Sequence, residues 1–135
     1  NEFVAGFIGS PRMNFLDAEV TSTKKGSVKI AIPAIGNLKI DVSTRDRTPE
    51  KGESVKVGIR PEHFISAADS KFKFKAPTTG VEQLGGNSYL YLNAGGSAPL
   101  TVEQKGHTQV RDGEIASVGV DPTTAMLFGA DGLRI

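Results

Sequence analysis

Short runs in which apolar and polar residues alternate recur along most of this 135-residue chain. In the first run, Leu16, Ala18 and Val20 are separated by polar residues, and this period of two is typical of strands with one buried face. Turn-forming residues separate the runs, which follow one another at intervals of about 8–12 residues. The ten predicted runs are 15–21, 28–32, 38–42, 54–59, 72–75, 80–84, 88–92, 100–103, 115–120 and 125–128. This pattern predicts an all-β fold, either a sandwich or a small barrel.

The beginning of the chain departs from this alternation. Phe3, Val4, Phe7 and Ile8 fall on one face of a helix, and Pro11 prevents the helix from continuing. A helix of two turns is marginal in water without a partner surface. We therefore expect a short N-terminal helix whose apolar face packs against another element or another domain.

A second irregularity lies at residues 66–70, which have the composition of a loop between two sets of strands. The strands on either side could form two sub-barrels or one interlocked unit. The sequence shows no internal repeat that would decide between these arrangements.

The composition excludes several classes of function. The chain has no cysteine, which rules out disulfides, thiolate metal sites and thiol catalysis. Its formal net charge of +1 gives no bulk argument for binding a polyanion. No apolar run approaches the ~20 residues that span a bilayer, and no signal peptide opens the chain. We expect a single cytoplasmic β domain.

Motifs for catalysis or cofactor binding are also missing from the sequence. No glycine is followed by lysine, so a nucleotide-phosphate loop of the G-x-x-x-x-G-K-[ST] type is excluded. Residues 84–88 superficially resemble a signature loop of ATP-binding cassettes, but they join two predicted strands and are interpreted as a glycine hairpin turn. His63 and His107 lie far apart and lack the spacing of metal ligands. We expect no catalytic residue, no metal and no cofactor in this chain.

Two polar clusters remain as candidate contact sites. Lys71, Lys73 and Lys75 alternate with two phenylalanines, a pattern that favours an edge strand with a buried aromatic row and a solvated lysine row. The alternative is a stacking platform for single-stranded nucleic acid. Residues 60–63, Arg-Pro-Glu-His, follow a strand and could hold a surface ion pair or form a contact with another protein or domain.

Several segments together resemble the C-terminal domain of the ATPase subunit of carbohydrate-importing ABC transporters, the maltose/glycerol-3-phosphate type. They are FVAGFIGSP at 3–11, MNFL at 13–16, GIRPEH at 58–63, VEQLG at 81–85 and LFGADG at 127–132. The first three segments together match that family specifically, and the last two match it less closely. Gly129 stands where that family commonly has an aspartate.

The resemblance implies an all-β, OB-type (transport-associated, MOP-like) barrel of about ten short strands, over residues 11–135. Residues 1–10 would be a connector helix from a nucleotide-binding domain that holds ATP and Mg²⁺. The family role is regulation and dimer maintenance without catalysis. The implied partners are a second copy of the chain, the preceding nucleotide-binding domain, the membrane permease subunits and a phosphotransferase-type regulatory protein, and the location is cytoplasmic, at the inner membrane. Nucleic acid is not expected as a partner.

The resemblance also suggests which residues carry these contacts. Phe15, Gly52, Gly58 and Glu82 would belong to the regulatory, partner-binding surface. Arg60, Glu62 and His63 would form polar contacts between domains or subunits. Each residue also has a purely structural interpretation, since Phe15 suits a core position, the two glycines suit a turn and a close approach, and Glu82 suits a solvated strand.

Two other functions stay open on the sequence alone. One is a small-ligand module that binds an oxyanion or a sugar through the backbone amides of the 84–88 turn. The other is a single-stranded nucleic-acid-binding barrel that uses residues 71–75.

Overall fold

The computed structural model describes residues 13–96 and 98–135, and it confirms the all-β prediction. Ten strands are present in these ranges: β1 (Asn14–Lys24), β2 (Ser27–Ile32), β3 (Leu38–Ser43), β4 (Ser54–Ile59), β5 (Phe64–Ser66), β6 (Lys73–Leu84), β7 (Asn87–Leu92), β8 (Leu100–Lys105), β9 (Ile115–Val120) and β10 (Met126–Gly129). Four 3₁₀ turns join some of them, at Pro33–Ile35, Pro61–His63, Ala67–Asp69 and Pro122–Thr124. Within these ranges no helix is long and apolar enough to cross a membrane. The helix predicted at the start of the chain lies outside the described residues.

Two strands differ from the sequence prediction. The predicted runs 72–75 and 80–84 form one strand, β6, because a bulge between Thr78 and Gly80 lets the chain continue while it changes neighbour. Before the bulge β6 pairs with β9, and after it β6 pairs with β7. The short strand β5 was not predicted, since three residues are too few to show alternation.

The strands form two five-stranded sheets that exchange one strand each. The first has the order β10-β4-β1-β2-β3 and the second has the order β5-β9-β6-β7-β8. Strand β5 follows β4 in the chain but pairs with β9, whereas β10 follows β9 but pairs with β4. Of the two arrangements left open by the sequence, the structure therefore shows the interlocked one.

The two halves of the chain also repeat each other in structure. Each begins with a long bulged strand, β1 or β6, continues through a three-stranded meander, and ends in a strand that returns beside the long one. The returning strands end alike, as Val-Gly-Ile-Arg-Pro-Glu at 57–62 and Val-Gly-Val-Asp-Pro-Thr at 118–123. No repeat is evident from the sequence alone, because the correspondence is confined to segments of this length.

A single apolar core joins the two sheets. Its cluster of buried side chains takes members from both, with Ile30, Ile59 and Leu127 in the first sheet and Leu90 and Leu92 in the second fully buried. These are the inward positions of the alternating runs, so the period-two pattern correctly identified the buried face. Removing such side chains from water is the main favourable contribution to folding.

One buried polar side chain, Asn14, ties the sheets together. Its Nδ2 donates to the carbonyl oxygen of Ile59 at 3.0 Å and to that of Thr101 at 2.9 Å. Its Oδ1 accepts a hydrogen bond from the Thr101 amide at 2.8 Å. Because Ile59 belongs to β4 and Thr101 to β8, this side chain fixes the position of one sheet against the other.

Candidate interaction surface

Two tyrosines on the outer side of β7 hold carboxylates from the strands on either side. The Tyr91 hydroxyl donates to Oε1 of Glu82 on β6 at 2.5 Å, and the Tyr89 hydroxyl donates to Oε1 of Glu103 on β8 at 2.6 Å. The register explains these contacts, since Tyr89 lies directly opposite Glu103, and Tyr91 lies opposite Gly80 and so is the diagonal neighbour of Glu82. We call these four residues the tyrosine–carboxylate face.

The carboxylates keep both phenols protonated. The hydrogen bond to Glu82, with burial and the Glu82 charge, raises the pKa of Tyr91 to about 12. The hydrogen bond to Glu103 likewise raises the pKa of Tyr89, and the charge of Glu62 acts in the same direction. A phenol in this state remains a hydrogen-bond donor throughout the physiological pH range. Each tyrosine therefore orients its carboxylate without neutralising it.

The predicted contact group at residues 60–63 lies beside this face. Pro61–His63 forms a 3₁₀ turn that packs against β8, and Glu62 is close enough to Tyr89 to influence its pKa. Within the described ranges Arg60 and Glu62 form no ion pair, so the surface pair considered from the sequence is not seen. The Nδ1 atom of His63 is buried and has no hydrogen-bond partner there. Glu62 therefore adds negative charge to the surroundings of Tyr89.

Phe15 and Gly58 meet on the outer side of the first sheet. They lie opposite each other in the β1–β4 pairing, and the Phe15 ring packs edge-on against Phe128 with ring centroids 5.3 Å apart. A Cβ atom at Gly58 would lie 2.6 Å from the sulfur of Met13 and 2.9 Å from the Phe128 ring. Glycine at this position is what allows Met13 and Phe128 to approach the main chain of β4 this closely.

Gly52 lies apart from the other predicted residues. It occupies an exposed turn before β4 with φ of 87°, a left-handed conformation that favours glycine, and nothing lies within 4 Å of its Cβ position. Its amide donates to the carbonyl oxygen of Val20, which is about 17 Å along β1 from Phe15. The structure therefore gives Gly52 a role in a turn and does not bring it to the tyrosine–carboxylate face.

The lysine row has the alternation that the sequence predicted. Phe74 is buried, Phe72 packs against the core, and Lys71, Lys73 and Lys75 are exposed. The edge-strand prediction holds for this segment, because residues 73–77 pair with β9 alone and β7 pairs only with the part of β6 from Thr78 onward. The phenylalanines cannot serve as a stacking platform for bases while they face the core.

The structure thus brings Glu62 and Glu82 to one surface and Phe15 and Gly58 to another. Sequence reasoning did not single out Tyr89, Tyr91 or Glu103. Their signal is present as a Tyr-x-Tyr alternation on one strand with a glutamate on each flanking strand, but it becomes readable only when the register is known. The hairpin turn at Gly85-Gly86 sets that register and has the positive φ at its first central residue that a type II′ turn requires.

Two family models match the chain and together cover most of it. The MalK OB fold domain matches residues 9–64 and the TOBE domain matches residues 57–128. Both describe domains of the OB type, and neither describes an ATPase domain.

Similar proteins of known name are ATP-binding proteins of sugar importers. The lactose transport ATP-binding protein LacK of Rhizobium radiobacter is 39% identical over 137 residues, which cover 100% of this chain and 38% of LacK. The maltose/maltodextrin import ATP-binding protein MalK of Mannheimia succiniciproducens is 33% identical over 134 residues, covering 98% of this chain and 36% of that protein. The chain therefore spans little more than a third of the length of these relatives.

A solved structure with a similar fold is that of the cytoplasmic molybdate-binding protein ModG with molybdate bound. The TM-score is 0.67, with 86% of this chain and 95% of ModG covered, and the sequence identity is 14%. This likeness shows the fold alone. It confirms the expectation of an OB-type, MOP-like architecture.

Proposed function

The chain belongs to the TOBE domain family, in the form found in MalK-like ATP-binding proteins of sugar importers, and from this premise we propose that it is a non-catalytic domain for regulation and dimerisation. The observation that supports the proposal is a match to such proteins that covers the whole of this chain and little more than a third of theirs, on a fold with an exposed polar face built from strands of one sheet. The parent subunit would couple ATP hydrolysis to carbohydrate uptake. We expect ATP and Mg²⁺ to bind outside these 135 residues.

The proposed partners follow from the same premise. In an importer the domain would lie at the cytoplasmic side of the inner membrane, reaching the permease subunits through its parent. A regulatory protein of the phosphotransferase type would bind a surface that includes Glu82, which lies opposite Tyr89, and Glu62, which lies on the turn that packs against β8. Phe15 and Gly58 lie on the first sheet with Phe128, so they would belong to a separate contact.

Self-association is the part of the proposal that is simplest to test. We expect the chain to sediment as a monomer at about 1 µM and mainly as a dimer at about 200 µM, because a domain that maintains a dimer within a larger subunit needs only modest affinity of its own. Sedimentation velocity over this range measures the change. A chain that remains monomeric at the highest concentration would refute the dimerisation part of the proposed function.

A further inference from the structure

Two arginines from distant parts of the sequence meet at one corner of the first sheet. Residues 133–135 run beside β10, where the Ile135 amide donates to the carbonyl oxygen of Leu127 at 3.0 Å. On the other side of this segment the Arg45 amide, two residues beyond β3, donates to the carbonyl oxygen of Ile135 at 2.8 Å. These hydrogen bonds bring Arg134 and Arg45 together, and we call the two residues the arginine corner.

Arg134 is a partly buried cation with an unused hydrogen-bond donor. It pairs with Phe128 of β10 on the outer side of the first sheet, whereas its neighbour Ile135 belongs to the core. Its Nε atom is buried and has no hydrogen-bond partner in the described ranges. Burial lowers the pKa of Arg134, and the charge of Arg45 lowers it further. A guanidinium group stays charged in spite of such effects, so both arginines of the corner are cations.

Positive charge is concentrated around the arginine corner. The exposed turn at 24–26, which carries two lysines, lies close by, because the Thr44 amide donates to a carbonyl oxygen of that turn at 2.9 Å. Asp46 supplies a negative charge that raises the pKa of Arg134, but it lies beyond ion-pair distance. The formal charge of the whole chain is only +1, so the corner is far more positive than the average surface of this protein.

A third arginine of the same region, Arg47, shows what the corner lacks. Its Nη1 and Nη2 atoms donate to the two carboxylate oxygens of Glu53 at 3.1 and 2.7 Å. Neither Arg45 nor Arg134 forms an ion pair with any residue that the structure describes. Two like charges held together without a counter-ion oppose folding, and a buried donor without a partner adds to that cost. An anion bound between the two guanidinium groups would relieve both.

We propose that the arginine corner binds a phosphate group, carried by a phosphorylated small molecule or present as free phosphate. A phosphate has enough terminal oxygens to accept hydrogen bonds from both guanidinium groups at once, and its charge of up to −2 matches their two positive charges. A carboxylate fits less well, since a single guanidinium group occupies both of its oxygens, as Arg47 does with Glu53. The Nε–H of Arg134 then gains the acceptor that the fold does not provide.

Titration of the chain with glucose 6-phosphate, inorganic phosphate and glucose tests the site. NMR of the nitrogen-labelled chain at low salt should show shifts at Arg45, at the Nε–H of Arg134 and in the turn at 24–26. The dissociation constant should be about 1 mM or lower, because charge-assisted hydrogen bonds from two arginines contribute. Glucose, which lacks the phosphate, should shift none of these signals. Tighter binding of glucose 6-phosphate than of inorganic phosphate would identify a phosphorylated small molecule as the occupant, and the reverse order would identify free phosphate.

Substitutions at the corner should change the affinity in both directions. Arg45→Gln and Arg134→Gln should each raise the dissociation constant for glucose 6-phosphate at least about tenfold, because each removes charge-assisted hydrogen bonds to the phosphate. Asp46→Asn should lower that constant about threefold, since it removes a negative charge that repels the ligand. A gain in affinity cannot result from a loss of folding, and circular dichroism confirms that each variant is folded.

The matched control is Arg111→Gln, which removes an exposed arginine from the turn before β9. It should leave the dissociation constant within about twofold of the unmodified chain, because a distant exposed charge is screened. Binding that survives both Arg45→Gln and Arg134→Gln would overturn the site, as would the absence of any shift at Arg134 with about 20 mM of either phosphate compound. Either result would leave the proposed function standing, because the corner lies on the first sheet and the tyrosine–carboxylate face on the second.

Discussion

Alanine in place of Gly119 is expected to lower the free energy of unfolding by about 3 kcal/mol, at the upper end of the cost of overpacking a single site. The new Cβ would lie 2.7 Å from the carbonyl oxygen of Ser66 and 2.9 Å from the Cβ of Ser70. The first of these atoms belongs to the main chain and the second is bonded to it, so rotating a side chain cannot relieve the clash. Relief requires β5 to move away from β9, which breaks the exchanged strand pairing. Urea denaturation followed by far-UV circular dichroism measures the loss.

Two other glycines serve as matched controls. Gly86→Ala should change the unfolding free energy by less than about 0.5 kcal/mol, since nothing lies within 4 Å of its Cβ position and its φ is not left-handed. Gly58→Ala, at the equivalent position of the other half, should cost about 1–2 kcal/mol, because the new atom meets the side chains of Met13 and Phe128, which can shift, and no main-chain atom. If Gly119→Ala lowered the free energy of unfolding no more than Gly86→Ala does, the structure's close approach of β5 to β9 would be contradicted.

Replacing Asn14 by alanine is expected to cost about 3 kcal/mol as well. The substitution removes three hydrogen bonds, each worth about 1 kcal/mol, and leaves the Thr101 amide and carbonyl without that partner in a partly buried place. The effect should be larger than that of a local hydrogen bond, because Asn14 joins β4 to β8 and so holds the two sheets in register with each other. The same denaturation measurement detects it.

A second asparagine, Asn93, provides the comparison. Its Oδ1 accepts one hydrogen bond from the Gly95 amide within an exposed loop, so Asn93→Ala should cost at most about 1 kcal/mol. If the two asparagine variants lost the same free energy of unfolding, the role of Asn14 as the link between the sheets would be contradicted.

The fold class could be predicted from the sequence because strand alternation is a local property. Residues 28–32 and 38–42 alternate cleanly, and the structure places them in β2 and β3. The pairing of β5 with β9 and of β10 with β4 could not be predicted, since each joins segments more than fifty residues apart and no local pattern records it. The bulge in β6 was misread as a gap between two strands, because a single inserted residue breaks the alternation in the same way that a turn does.

The candidate surface was predictable to a smaller extent. The resemblance to a known family suggested Glu82 and Glu62; Glu82 lies opposite Tyr89, and Glu62 lies on the 3₁₀ turn that packs against β8. The contacts of Tyr89 and Tyr91 with the glutamates could not be predicted, because they depend on the cross-strand register. The hairpin turn after β6 and the bulge within it together set that register. Phe15 and Gly58 illustrate the opposite case, because their packing against Phe128 accounts for both residues without any partner.

The most direct measurement of the central claim is sugar uptake by a chimera in which this chain replaces the matching segment of LacK from Rhizobium radiobacter. The replaced segment is 39% identical to this chain and aligns with all of it. In cells without their own LacK, the chimera should restore lactose uptake, whereas LacK that lacks the segment should not. A chimera that accumulates normally yet fails to restore uptake, or a truncated LacK that transports equally well, would contradict the claim that this domain maintains and regulates a sugar-importing ATPase subunit.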